Sequence, residues 1–260
     1  MALENPALND HAFERAMTDV PASERKGLHI AAVYLMTGFL LVVLALAAAF
    51  GWSEVEVKDV TYESGATSTI AQVPRWFGLV SFLTVLIGLV AIFAPRTAVL
   101  TGTLYTLGQG AMIGVISHFY ELDFEGIVAQ AVAGTLGIFL AMLLLYATRI
   151  VKVTRGLVLF LVAASFGLLL LYGVSWILWL FGVEMRFLDE PTPAGIAISL
   201  GIVILGAAYL PTDFNFIERV AKEGAPGWMQ FYAAFGLILS LIWIYVALLR
   251  LIALLRMAQR

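Results

Sequence analysis

Seven stretches of this 260-residue chain each run for 20 residues or more without an Asp, Glu, Lys or Arg side chain. A helix needs about 20 mostly apolar residues to cross roughly 30 Å of hydrocarbon, because it rises about 1.5 Å per residue. Each stretch therefore predicts one transmembrane helix, and together they predict an all-α, polytopic membrane protein. The stretches are residues 27–53, 76–95, 97–120, 126–148, 156–183, 191–212 and 224–249.

The composition excludes the soluble classes of protein. Hydrophobic residues make up 62% of the chain and charged residues 13%, against about 45–50% and about 25% in soluble domains. The chain has no cysteine, and so has no disulfide and no thiolate metal site. Its basic residues are scattered and form no dense tract, so nucleic-acid binding is not expected.

The first 26 residues are polar and mixed in charge, and we expect them to form a cytoplasmic tail. A transmembrane domain over residues 27–255 follows, and it leaves no room for a soluble catalytic domain. The helices are expected at about residues 28–51, 76–94, 97–118, 127–148, 156–182, 194–211 and 228–253.

Basic residues near helix ends favour the cytoplasmic side of a membrane. With the amino terminus inside, the cytoplasmic side holds nine of them, Arg15, Arg25, Lys26, Arg96, Arg149, Lys152, Arg155, Arg219 and Lys222. The outer side holds three, Lys58, Arg75 and Arg186. Seven full spans would place Arg250, Arg256 and Arg260 outside, against this trend. Two arrangements stay open: seven full spans, which we prefer, or a last segment that returns or sits tilted in the bundle.

Two connections between the predicted helices contain several acidic residues. The loop over residues 52–73 contains the alternating segment VEVKDVTYE, which predicts either a short hairpin or a disordered cap. The turn YELDFEG after helix three contains Glu121, Asp123 and Glu125 and no basic residue. We therefore expect this turn to attract cations at the outer side.

Helix three contains a small residue at every fourth position. Gly102, Thr106, Gly110 and Gly114 lie near one face, and His118 follows at the same spacing. Small side chains let a neighbouring helix approach closely, so helix packing is their expected role. His118 suits either a gating role or interfacial hydrogen bonding, and the second is the commoner role of a histidine at a membrane edge.

Asp213 follows Pro211 at the predicted end of helix six, and the sequence supports two interpretations of it. A carboxyl group at membrane depth is a candidate for ion or proton handling, because burying it is costly. Alternatively, Thr212 or Asp213 caps a short cytoplasmic helix that runs to Lys222.

The residues for known intramembrane chemistries are missing. The last stretch has no lysine for a retinal Schiff base. Only His29 and His118 lie in the predicted helices, near opposite ends, which is too few ligands for a zinc hydrolase. The chain has no GxSG or GxGD motif for intramembrane proteolysis. We therefore expect no enzymatic activity, no cofactor and no tightly bound metal.

Four segments together carry a family resemblance. They are NPAL (residues 5–8) with Phe13, GAMIGVISHFYELDFEGIVAQAVAGT, MLLLYATRIVKVT, and DFNFIERVAKEGAPGWMQFYAAFGLILSLIWIYVALLRLI. In their order and spacing, the chain resembles the bacterial branch of the Bax inhibitor-1 family, also called the transmembrane Bax inhibitor motif family. The resemblance implies six helices, in two groups of three, around a central seventh. It also implies a bacterial inner-membrane location and a pH-sensitive calcium leak.

In that family, an aspartate at the end of helix six and another in helix seven share a proton and latch the pore. Asp213 matches the first aspartate. Gly236 and Ser240 stand where the second would be, and helix seven has no acidic residue. Either this branch has no such switch, or Asp213 has another partner. The candidate partners are Glu218, Ser240 and Arg250.

Two functions follow from these features. The first is a calcium leak, with the acidic turn at its outer mouth and calcium as the transported ion. Its candidate residues for the ion pathway or pH sensing are Asp213, Glu218, Ser240 and His118. The second is a non-transporting regulator that binds a membrane protease or another membrane complex, with the polar tail as its handle.

Overall fold

The computed structural model describes residues 27–61, 67–182 and 190–260. Seven helices and one β-hairpin follow each other in this part of the chain. They are α1 (Ile30–Ser53), β1 (Glu56–Thr61), β2 (Thr67–Gln72), α2 (Phe77–Phe93), α3 (Ala98–Asp123), α4 (Ile127–Ala147), α5 (Arg155–Leu180), α6 (Pro193–Lys222) and α7 (Met229–Met257). The prediction of an all-α membrane fold is confirmed.

The helices run alternately between two ends of the bundle. At one end, here called the tail end, the Leu28 N–H beside α1 donates to the Ala225 carbonyl in the α6–α7 turn at 2.9 Å. The β-hairpin marks the other end, here called the hairpin end. There Arg256 of α7 donates to the Glu125 carbonyl in the α3–α4 turn at 2.7 Å. Helix α7 therefore crosses the whole bundle once, as in the preferred seven-span arrangement, and does not turn back.

Helix α7 forms the centre of the bundle. It packs against α1, α3, α4 and α6, and its fully buried side chains include Tyr232, Phe235, Leu237 and Ile238. Helices α1 to α3 form one group beside it, and α4 to α6 form the other. This confirms the predicted arrangement of six helices around a central seventh.

The lengths and outer surfaces of the helices suit a lipid bilayer. Six helices are long and apolar enough to cross a membrane, while α2 has 17 residues. At about 1.5 Å per residue, α2 covers roughly 25 Å, near the lower limit for a span. Large apolar side chains face outward, such as Leu35 (76% exposed) and Leu169 (67% exposed). Such surfaces are stable against hydrocarbon and unfavourable in water.

Helices α3 and α6 extend furthest beyond their predicted ends. Helix α3 ends at Asp123 rather than at 118, and α6 continues to Lys222, about three turns past residue 211. The predictions stopped where the charge-free stretches stop. Past residue 211, α6 continues because Phe214, Phe216 and Ile217 are buried in the bundle.

Of the two alternatives for the loop after α1, the hairpin is the one found. Strands β1 and β2 pair in antiparallel fashion, from Glu56 opposite Gln72 to Thr61 opposite Thr67. At the base of the hairpin, the Trp76 indole N–H donates to the Glu54 carboxylate at 3.2 Å. This contact joins the end of α1 to the start of α2.

Candidate functional site

Asp213 lies inside α6, and its side chain is buried against α7. The residue is 1% exposed, and the Ser240 hydroxyl donates to its Oδ2 at 2.5 Å. The interpretation of Thr212 or Asp213 as a helix cap is wrong, because both residues lie within one continuous helix. Asp213 is therefore buried, as the ion- or proton-handling interpretation requires.

The contact between Asp213 and Ser240 lies deep in the bundle. Along α6, Asp213 is about 14 Å from the helix end at Lys222, and along α7, Ser240 is about 16 Å from the start at Met229. Both helices are longer than the roughly 30 Å of hydrocarbon, so the contact lies in their interior but nearer to the membrane surface than these distances. A charged side chain at the bilayer centre costs about 2.5–3.5 kcal/mol or more. The sequence therefore retains Asp213 at an energetic cost.

Pro211 lies two residues before Asp213, inside α6. Because proline has no N–H, position 211 donates no helix hydrogen bond to the carbonyl of Ala207. The Thr212 hydroxyl donates to the Tyr209 carbonyl at 2.6 Å. Helix α6 therefore continues through this point with one backbone hydrogen bond fewer, one turn from the buried carboxyl group.

Small residues let α6 and α7 approach each other beside this contact. A Cβ atom added to Gly206 would lie 3.0 Å from Cγ1 of Ile244. On α7, Gly236 and Ser240 are one turn apart and share a face. The short side chain of Ser240 places its hydroxyl directly against the Asp213 carboxyl group.

The other two candidate partners of Asp213 form contacts with α4 and α5. Glu218 accepts a hydrogen bond from the Tyr146 hydroxyl at 2.5 Å and pairs with Lys222 one turn further along α6. Arg250 donates to the Tyr172 hydroxyl at 2.5 Å and lies over the same ring. Ser240 is the candidate that the structure places in direct contact with Asp213.

His118 lies at the hairpin end of the bundle. Its Nδ1 is 2.9 Å from the Trp52 carbonyl oxygen, and its ring stacks on the Trp52 ring with a centroid distance of 4.6 Å. These contacts join the end of α3 to the end of α1. His118 and Asp213 therefore belong to separate sites.

The small residues of α3 face two neighbouring helices. A Cβ atom on Gly110 would lie 2.6 Å from the Leu44 carbonyl oxygen, and one on Gly114 would lie 2.0 Å from that of Ala48. These glycines therefore allow the backbones of α1 and α3 to touch. Nearer the tail end, a Cβ atom on Gly102 would lie 3.3 Å from the ring of Phe235 on α7.

Two arginines from the carboxyl-terminal end of the chain lie beside the acidic turn after α3, which itself contains no basic residue. Arg256 donates to the Glu125 carbonyl at 2.7 Å, and Arg260 donates to the Asp123 carbonyl at 2.8 Å. The Glu121 carboxylate accepts from two backbone N–H groups at the start of α4, at 2.5 and 3.1 Å. The carboxyl-terminal end of the chain therefore brings two arginines to the turn, and the attraction of cations by the turn stays a prediction.

Sequence reasoning misses two polar contacts between helices. The hydroxyls of Ser117 on α3 and Tyr245 on α7 are 2.6 Å apart, and those of Ser165 on α5 and Tyr209 on α6 are 2.8 Å apart. All four residues are visible in the sequence. Their pairing depends on the rotation of each helix about its axis, for which the local sequence has no signal.

A family model described as Bax inhibitor 1 like matches residues 5–257, which is nearly the whole chain. The chain belongs to the Bax inhibitor-1 family. Comparisons with curated proteins and with solved structures find no match.

In this Bax inhibitor-1 family member, Asp213 contacts the hydroxyl group of Ser240 and not a second carboxyl group. A hydroxyl group carries no charge, so the contact lacks the repulsion of two ionised carboxylates. A serine hydroxyl can donate to a carboxylate and can accept from a carboxylic acid. The contact can therefore form in either protonation state of Asp213.

Two predicted features fall on parts of this family member that lie outside the described residues. They are the polar tail over residues 1–26, with the NPAL segment and Phe13, and the loop residue Arg186. The tail as the handle of a regulator therefore stays a prediction.

Proposed function

We propose that this Bax inhibitor-1 family member is a passive leak for cations, calcium among them, and that Asp213 lies on the ion path. The observation that carries the proposal is a carboxyl group, 1% exposed, inside a membrane bundle. Ionisable residues in membrane helices commonly belong to ion or proton paths, because their burial is otherwise unfavourable. Membership of the family supports the same activity.

The proposed path is closed at Asp213 in the present arrangement. Three cavities of about 730, 720 and 390 Å³ adjoin the described helices, and Asp213 lines none of these three. An ion that reaches the carboxylate has to separate α6 from α7 there and replace the Ser240 hydroxyl. We infer that opening is a movement of α6 against α7, which the hydrogen bond missing at Pro211 makes easier.

The charge of Asp213 gives the proposed leak a dependence on pH. An ionised carboxylate compensates part of the cost of moving a cation through a medium of low dielectric constant. Once Asp213 is protonated, that compensation is lost. We therefore expect cation flux to fall when this residue takes up a proton.

The acidic turn makes a smaller contribution in this proposal. Asp123 and Glu125 are exposed at the hairpin end and can raise the local concentration of cations. Arg256 and Arg260 lie against the same turn and oppose that field. Exposed charges are also screened by salt, so we expect flux to depend weakly on this turn.

Calcium flux into liposomes tests the proposal. The full chain is reconstituted in vesicles that contain a calcium-sensitive dye, and the rate is compared with that of empty vesicles. We expect Asp213→Ala and Asp213→Asn each to reduce the flux at least about tenfold. The control is Glu223→Gln, which removes an exposed carboxylate just beyond α6 and should leave the flux nearly unchanged.

One outcome would contradict the proposed leak activity, and another would contradict the position of the ion path at Asp213. Flux equal to that of empty vesicles means that the chain is not a calcium leak under these conditions. Native flux in folded Asp213 variants means that the path lies elsewhere in the bundle.

A further inference from the structure

A separate polar site lies at the tail end of the bundle. A cavity of about 730 Å³ opens between α1, α4, α6 and the turn that joins α4 to α5. Its apolar wall includes Ile30, Leu143 and Phe214. Asp213 does not line this cavity, so the site is distinct from the proposed ion path.

The polar side of this cavity has an excess of positive charge. Its lining includes four basic side chains, Arg149, Lys152, Arg219 and Lys222, and two acidic ones, Glu218 and Glu223. Glu218 is already engaged, because it pairs with Lys222 and accepts from the Tyr146 hydroxyl. The remaining field favours an anionic ligand.

Arg149 is held in a backbone conformation that usually belongs to glycine. Its φ is 58°, in the left-handed region, at the position just after α4 where glycine commonly ends a helix. The Arg149 and Ile150 N–H groups donate to the Tyr146 and Leu145 carbonyls at 2.9 and 3.0 Å, which closes the helix end. The other described residues with positive φ are glycines, namely Gly126, Gly182 and Gly224.

The conformation of Arg149 indicates a role for its side chain. A residue with a Cβ atom is strained in the left-handed region, and such strain commonly occurs at functional sites. A glycine would close the same helix end without strain. The chain instead has a guanidinium group there, at the edge of the cavity.

We propose that this cavity binds the phosphate group of an anionic membrane lipid, with Arg149 and Lys152 as its main ligands. A guanidinium group offers two parallel N–H donors to phosphate oxygens. The cavity opens at the helix ends, where lipid headgroups lie, and basic pockets between membrane helices suit such headgroups. The apolar wall accepts the glycerol and acyl carbons of a lipid, whereas a free phosphate ion gains nothing from it.

Native mass spectrometry of the full chain in mild detergent tests this proposal. The protein is titrated with phosphatidylglycerol or with phosphatidylcholine of the same acyl chains, and we expect the anionic lipid to bind more tightly. We expect Arg149→Gln to weaken phosphatidylglycerol binding about fivefold, and the double variant with Lys152→Gln about 25-fold. The control is Arg96→Gln, which removes one positive charge from the turn Pro95–Thr97 at the same end, outside the cavity.

Arg149→Gly separates lipid binding from folding. Glycine fits the left-handed conformation, so this variant should unfold at a higher temperature than the native chain. It should nevertheless bind phosphatidylglycerol as weakly as Arg149→Gln does. A role of Arg149 in folding alone predicts no loss of lipid binding in the glycine variant.

Three results would overturn the proposal. The first is native phosphatidylglycerol binding in both Arg149 variants, and the second is an equal loss in Arg96→Gln. The third is displacement of bound phosphatidylglycerol by excess inorganic phosphate, which would assign the cavity to the free ion. Lipid that stays bound in excess phosphate supports a lipid site.

Discussion

The two groups of three helices are packed by different means. In the group of α1 to α3, the backbones of α1 and α3 touch. A Cβ atom on Gly51 would lie 1.9 Å from the Ala111 carbonyl oxygen, and one on Gly114 would lie 2.0 Å from that of Ala48. There is no room in these contacts for one helix to slide on the other.

The group of α4 to α6 makes its contacts through longer side chains. Tyr146 of α4 reaches Glu218 of α6, and Ser165 of α5 reaches Tyr209 of α6. Cavities of about 730 and 390 Å³ adjoin this group, and a third of about 720 Å³ lies between α1, α3, α4 and α7. The difference between the groups is therefore in their contacts, because side-chain contacts allow alternative arrangements that backbone contacts do not.

From this difference in contacts we infer which part of the bundle moves. We interpret α1 and α3 as a rigid support for α7, and α6 as the element that shifts against α7. Asp213 and Pro211 both lie on α6. The carboxyl group proposed for the ion path is thus on the helix that we expect to shift.

The largest effect is expected from Gly114→Ala in the rigid group. The added methyl group would meet the Ala48 carbonyl oxygen at 2.0 Å, so a backbone has to move. We expect a loss of about 3 kcal/mol or more in the free energy of unfolding. Thermal unfolding in detergent, followed by size-exclusion chromatography, measures it.

A matched glycine in the other group is the control. Around Gly137 of α4, the described residues leave open space where a Cβ atom would be added. We expect Gly137→Ala to be neutral or to stabilise the helix by up to about 1 kcal/mol. Equal destabilisation by both substitutions would contradict the difference between the two groups.

A smaller effect is expected from Ser240→Ala at the contact of α6 and α7. This change removes a hydrogen bond to a buried carboxyl group and should cost about 1–2 kcal/mol of stability. The matched control is Ser199→Ala on α6. Ser199 is also buried, and its hydroxyl has no hydrogen-bond partner among the described residues, so its loss should be nearly neutral. If the two variants unfold alike, the Ser240 contact is not stabilising.

Ser240→Asp restores a second carboxyl group beside Asp213. Two carboxylates at hydrogen-bond distance repel each other, so the pair retains one proton to a higher pH than a single group does. We expect the midpoint of the pH dependence of calcium flux to rise by about one unit or more. Ser240→Asn is polar and uncharged and should leave the midpoint in place. A midpoint that does not move with the aspartate variant would show that the two positions are not coupled.

The number and type of the helices follow from the sequence, because a charge-free stretch of 20 residues has few stable places outside a membrane. The end of α6 does not follow. Pro211 and Thr212 are ordinary signals of a helix end, yet the helix continues because burial against α7 outweighs the missing hydrogen bond. Local signals do not measure that packing.

The candidate sites depend on contacts between residues that are far apart in the sequence. Asp213 was identifiable as a buried acid, and Ser240 as one of three candidate partners. The choice among the three depends on the depth and rotation of α6 against α7. The basic cavity is harder to predict, since Arg149 and Arg219 line the same cavity only because α4 and α6 lie side by side.

The central claim is that Asp213 lies on the ion path. It is tested most directly by the pH dependence of calcium flux in liposomes, measured for the native chain and for Asp213→Asn. The native flux should fall toward acid pH, because protonation removes the negative charge that favours a cation. The asparagine variant has no such charge at any pH, so its flux should be low and should not change with pH. A variant that keeps the native rate and the native pH profile would contradict the assignment of Asp213 to the ion path.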